Sequence, residues 1–83
     1  MRVDDRLSLL ALAEGEPVLR GATVVQRDQH MVHVAMDDLA PLPVGNVVAL
    51  LCVGVSSSEA SLAVVSESLG TAITALRLLE RRH

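Results

Sequence analysis

The 83-residue sequence contains no phenylalanine, tryptophan or tyrosine, and no lysine. Without aromatic rings it has no platform on which nucleobases stack and no cage for a quaternary ammonium ion. Its seven cationic side chains are all arginine and are outnumbered by ten carboxylates, so the net charge of −3 offers no electrostatic footprint for duplex DNA or an anionic membrane. A single cysteine, Cys52, excludes an intramolecular disulfide and fits a reducing compartment. The opening Met1-Arg2-Val3-Asp4-Asp5 is too acidic for a secretory leader, and no apolar run nears the ~18–20 residues of a membrane span. These absences lead to the expectation of a cytoplasmic protein that binds neither nucleic acid nor membrane.

What the chain does have is aliphatic carbon. Apolar residues make up 51% of it, with fourteen Leu, thirteen Val and ten Ala, against 20% charged residues. The core must be built from these small side chains, and residues 1–83 suffice for one domain with one core. With a mean hydropathy of +0.45, some apolar surface should stay uncovered in a monomer. Such surface marks association, so a protein partner is expected, in the first place a second copy in a homodimer.

Apolar runs of about 5–10 residues recur at 7–12, 18–25, 31–36, 47–55, 60–65 and 71–79, separated by Gly, Pro, Asp or Ser clusters. Evenly spaced short runs with turn signals between them predict an all-β fold, here a small six-stranded antiparallel barrel. The run at 46–53 is apolar on both faces. Alternation puts Val47, Ala49, Leu51 and Val53 on one side and Val48, Leu50 and Cys52 on the other, and a strand buried on both sides needs cover on each. The row Val48, Leu50, Cys52, with Leu78 near the C-terminus, is therefore a candidate contact row for a partner. Residues 71–82 place Ala72, Ile73, Leu76 and Leu79 at helical spacing before a basic end, which predicts a strand running into a short C-terminal helical tail. The alternative is one full helix on an α/β sheet.

Few constellations carry chemistry. His30 and His33 are three apart, on opposite faces of a strand, and no further Cys or His completes a tetrahedral metal site. Asp37-Asp38 precedes a proline-rich turn, where Asp bonds to its own backbone. The serines at 56–58 lack a nucleophile elbow, the five glycines are isolated, and Cys52 sits in an apolar strand that mutes its reactivity. No enzyme activity and no metal are expected. The charged feature with most specificity is the terminal Arg77-Leu78-Leu79-Glu80-Arg81-Arg82, in which Arg77 and Arg81, four apart, with Arg82 beside them, can clamp an anion; the favoured alternative is a basic last turn that complements a helix C-terminus or forms a solvated tail.

The layout resembles the PilZ-type β-barrel, the bacterial module known for sensing cyclic diguanylate. The segment 16–25 resembles the family's early strand and 31–36 its next one. Leu42-Pro43-Val44-Gly45-Asn46 followed by 47–50 is similar to its turn-and-strand signature, with 60–66 and 73–79 as closing strands. The resemblance implies a regulatory module in bacterial signalling or motility, akin to the N-terminal barrel of flagellar-brake proteins. In the family an Arg-x-x-x-Arg motif holds the nucleotide together with an Asp/Asn-x-Ser-x-x-Gly motif. Arg2 and Arg6 have that spacing, as do Arg77 and Arg81, but Asp28 is followed by neither the Ser nor the Gly. The implied cyclic diguanylate site is therefore degenerate, the alternative being a genuine receptor. A sheet ending in one helix would instead be similar to a roadblock-type dimerisation scaffold for small GTPases. Val44-Gly45-Asn46 and 75–81 also resemble a hydrogenase-maturation chaperone barrel, without that family's N-terminal cysteine.

Overall fold

The structure, a computed structural model, describes residues 2–13, 15–37, 42–53, 58–69 and 73–79. They form six strands: β1 (Arg6–Ala13), β2 (Glu16–Arg27), β3 (Met31–Met36), β4 (Val47–Val53), β5 (Ser58–Leu69) and β6 (Ile73–Leu78). All neighbours are antiparallel, and the order β1-β2-β3-β6-β5-β4 closes into a barrel. Each predicted apolar run became one strand because each is bounded by residues that turn the chain. Gly15 (φ 82°) lies in the two-residue β1–β2 connection, and Gly45 (φ 93°) supplies the left-handed position of the Pro43–Asn46 turn, where the Asn46 N–H donates to the Pro43 carbonyl at 3.2 Å. Asp4 takes the same region (φ 75°) in the turn before β1, one of the few side chains that tolerate it.

A six-stranded barrel is narrower than the eight-stranded size whose interior side chains just fill, which suits a core without aromatics. The interior is closed by Leu7 and Leu9 of β1, Val24 of β2, Val32 and Val34 of β3, Val48 and Leu50 of β4, Val65 of β5 and Leu76 of β6. Leu42, ahead of β4, joins the same core. Two bulges, between Val24 and Gln26 and between Val65 and Glu67, face each other across the β3–β6 pair at one level and bend β2 and β5 around the barrel.

At the C-terminus the expected strand is present, and the expected helical tail is not supported. No helix occurs among the described residues, and none there is long and apolar enough to cross a membrane. Residues 73–78 are the strand expected ahead of that tail, and the alternative of one full helix over this stretch is overturned. Without β6, the facing edges of β3 and β5 would hold unpaired N–H and C=O groups. β6 pairs with both, from Met31↔Arg77 to Ala35↔Ile73 on one side and Ala63↔Leu78 to Leu69↔Ile73 on the other. Two ladders of hydrogen bonds at ~1 kcal/mol each outweigh the few tenths per residue by which Ala and Leu prefer a helix. The tail at 80–83 lies outside the described residues.

Candidate interaction surface

The barrel's outer side is unevenly polar. Ladder registers fix which side chains share it. Leu10 of β1 lies opposite Leu19 of β2 and Ala49 of β4, and Ala49 opposite Leu62 of β5. One step along the strands, Ser8 lies opposite Gly21 and Leu51, and Leu51 opposite Ala60. Val47 and Val64 extend the surface one step the other way. Directly opposed side chains stand ~4.5–5.5 Å apart, so these rows form one continuous surface over β2, β1, β4 and β5. Its large members are open to solvent: Leu19 64%, Val47 55%, Leu62 50%, Leu10 41% and Leu51 41% exposed. Two rows over four strands and a third over β4 and β5, with strands ~4.8 Å and rows ~6.8 Å apart, give a footprint of roughly 330 Å² in plan, comparable with the largest apolar patch on a typical monomer.

This surface is the opposite of the contact row expected from sequence. Val48 (1% exposed), Leu50 (0%) and Cys52 (6%) point into the barrel, where they pack on β1 and β5 and are out of reach of a second chain. Leu78 is half-buried and packs against the same core. The row that faces outward on β4 is Val47, Ala49 and Leu51. Sequence could not separate the two rows, because β4 is apolar on both faces and a one-residue slip exchanges them. The signal that was available is Ser8 on β1, a polar residue between Leu7 and Leu9 that marks the outward set on the neighbouring strand.

Beside the apolar rows lies a charged clamp. The Arg6 guanidinium grips the Asp37 carboxylate with both ends, Nη1 donating to Oδ1 at 2.7 Å and Nη2 to Oδ2, and Nη1 also donates to Thr23 Oγ1 at 2.8 Å. The pair ties β1 and β2 to the residue that follows β3. It lies over Gly21, where a Cβ would run into Asp37 Oδ2 and stand 3.1 Å from Arg6 Nη2. The hydrogen bond from Arg6 holds the Asp37 carboxyl below the usual carboxylate range, and the same hydrogen bond raises the already high value of the guanidinium. Asp37 thus uses its side chain on a residue 31 positions away rather than in a local turn, and Arg6 is engaged rather than open to a ligand.

No protein family, curated protein or solved structure matches the chain.

The remaining expected residues are dispersed. Arg77 is exposed on the outer side of β6, opposite Met31 and Val64, while Arg81 and Arg82 lie outside the described residues. His30 is exposed in the β2–β3 connection and His33 is half-buried on the outer side of β3, beside Ala75 of β6. Among the described residues no three His, Cys, Asp or Glu side chains converge on a point that a metal ion would occupy. Cys52 Sγ lies 3.7 Å from Asp5 Oδ2. Burial pushes its thiol up, and the Asp5 carboxylate adds to the effect by disfavouring a second negative charge.

Proposed function

We propose that this chain is a non-enzymatic protein-interaction module, in which the closed barrel is a scaffold and the outer face of β2, β1, β4 and β5 is the binding surface. One observation carries the reading: Leu10, Leu19, Val47, Leu51 and Leu62, each at least 41% exposed, sit on one continuous outer surface. Scattered leucines on a protein surface need no explanation, but a contiguous set over four strands is the kind of patch that is often functional on a monomer. The PilZ-like layout adds a context, a regulatory partner in bacterial signalling or motility. In that context a degenerate nucleotide site is favoured, because Arg6 of the Arg2/Arg6 pair is already held by Asp37.

A photo-crosslinking amino acid placed at position 62, with position 25 as the control, tests the reading in the native cell. A protein adduct is expected at 62, none at 25, and loss of the 62 adduct when Leu10→Arg is added. Equal labelling at both positions, or none at either, contradicts it. Calorimetry with cyclic diguanylate is the companion test: no heat is expected, and a heat abolished by Arg77→Ala would make the chain a nucleotide receptor instead.

A further inference from the structure

The outer rows carry a pattern that chooses their occupant. Across β1, β4 and β5 one row reads Leu10, Ala49, Leu62, which is large, small, large. The adjacent row reads Ser8, Leu51, Ala60, which is small, large, small. Each row is the complement of the other. A twofold axis lying in the face and running between the rows, across the strands, would lay the first row of one molecule on the second row of its mate. Leu51 would then enter the gap over the mate's Ala49, Leu10 would meet the mate's Ser8, and Leu62 the mate's Ala60. Such a contact is isologous and repeats itself through the axis, as closed two-chain assemblies require. It also keeps the strands of the two sheets near parallel alignment, the common way for sheets to pack face to face.

We propose that the occupant of this face is a second copy of this chain, docked through these two interlocking rows. The proposal rests on the reading of the outer face as a binding surface and adds the identity of its partner. Charge supports a self-match, because on β1, β4 and β5 neither row contains an ionisable side chain, and the Arg6–Asp37 pair over Gly21 at the β2 edge is already neutralised within the molecule. A copy therefore buries no unpaired charge, whereas a charged partner would find nothing to pair with. Area sets the strength. The outer surface offers roughly 330 Å² in plan per molecule, and the two interlocking rows on β1, β4 and β5 roughly 200 Å² of it, well under the ~800 Å² per side of a standard stable interface, which places the dimer among weak, reversible assemblies.

Sedimentation velocity over about 5 µM to about 1 mM, a window suited to a weak complex, tests this. The wild-type mass should climb from one chain towards two, while Leu51→Arg should weaken the association by at least roughly thirty-fold and Val25→Arg, an exposed apolar position off the face, should leave it unchanged. Circular dichroism and melting verify that each variant is folded. The interlock makes a sharper demand: Leu51→Ala empties the knob, Ala49→Leu fills the hole, each alone weakens the dimer, and the double variant, in which knob and hole have changed places, regains affinity. A wild type that stays at one chain throughout overturns the proposal, as does Leu51→Arg dimerising like wild type or a double variant as weak as the sum of its parts. If the wild type is monomeric but the crosslinker at 62 still captures a protein in a Leu10-dependent way, the face serves a different partner. If that adduct is also missing, the binding-surface reading fails with it.

Discussion

Val47 and Val48 are neighbours in β4 with the same chemistry and opposite fates, 55% and 1% exposed, and truncating each in turn measures which face of the strand is the core. Val48→Ala removes two buried methyl groups, at ~0.8 kcal/mol each, and leaves a cavity that the barrel closes only in part, for a total of ~2–3 kcal/mol. Val47→Ala removes the same groups from a half-wet site and leaves no cavity, a cost of roughly 0.7 kcal/mol. The strand preference that valine has over alanine is lost equally in both and cancels in the difference. The remaining gap of about 1.3–2.3 kcal/mol corresponds to about 5–18 °C in Tm for a domain of this size. The assay is thermal unfolding by circular dichroism at a few micromolar, low enough that self-association does not contribute. Equal shifts, or a larger one for Val47→Ala, would mean that β4 has slipped by one residue and that the row Val48, Leu50, Cys52 faces outward after all.

The clamp and the thiol give further tests. Because Asp37 has its carboxyl held down by Arg6, the stability it contributes is complete above the ordinary carboxylate value of ~3.9 and is lost as pH falls through the lowered one. Asp37→Asn should flatten the acid side of the Tm–pH profile there, and an unchanged profile would contradict the pair. Gly21→Ala should have a similar effect on that profile without touching a charge, since its Cβ displaces the ends of the Asp37 and Arg6 side chains from their contact; in its presence Asp37→Asn should change the profile little. Cys52, buried and with its thiol pushed up, should react with iodoacetamide at pH 8 at least roughly tenfold more slowly in the folded protein than in urea, and equal rates would place the thiol outside.

The barrel was legible in the sequence because six apolar runs alternate with Gly, Pro, Asp and Ser at strand length, and each run became one strand. The residues at 73–78 were legible as a strand only beside a helical alternative, since Ala and Leu favour a helix locally. What makes them a strand is the pair of open edges on β3 and β5, which lie far away in sequence. The outer apolar surface was half legible. High hydropathy announced uncovered apolar surface, but in β4 the period-two pattern is apolar on both phases and cannot choose between Val48, Leu50, Cys52 and Val47, Ala49, Leu51. That choice comes from register with β1, whose Leu7 and Leu9 lie on one phase and Ser8 on the other. Asp37 was readable as a turn residue and not as the partner of Arg6, because nothing local signals a contact spanning 31 positions.

The most direct test of the outer face is a dilution series of assigned amide NMR spectra. Concentration-dependent shifts confined to the outer rows of β2, β1, β4 and β5, centred on Ser8, Ala49 and Leu51 and absent from β3, are expected. Shifts centred on β3 and β6, or spectra identical from the lowest to the highest concentration, would contradict self-association through this face.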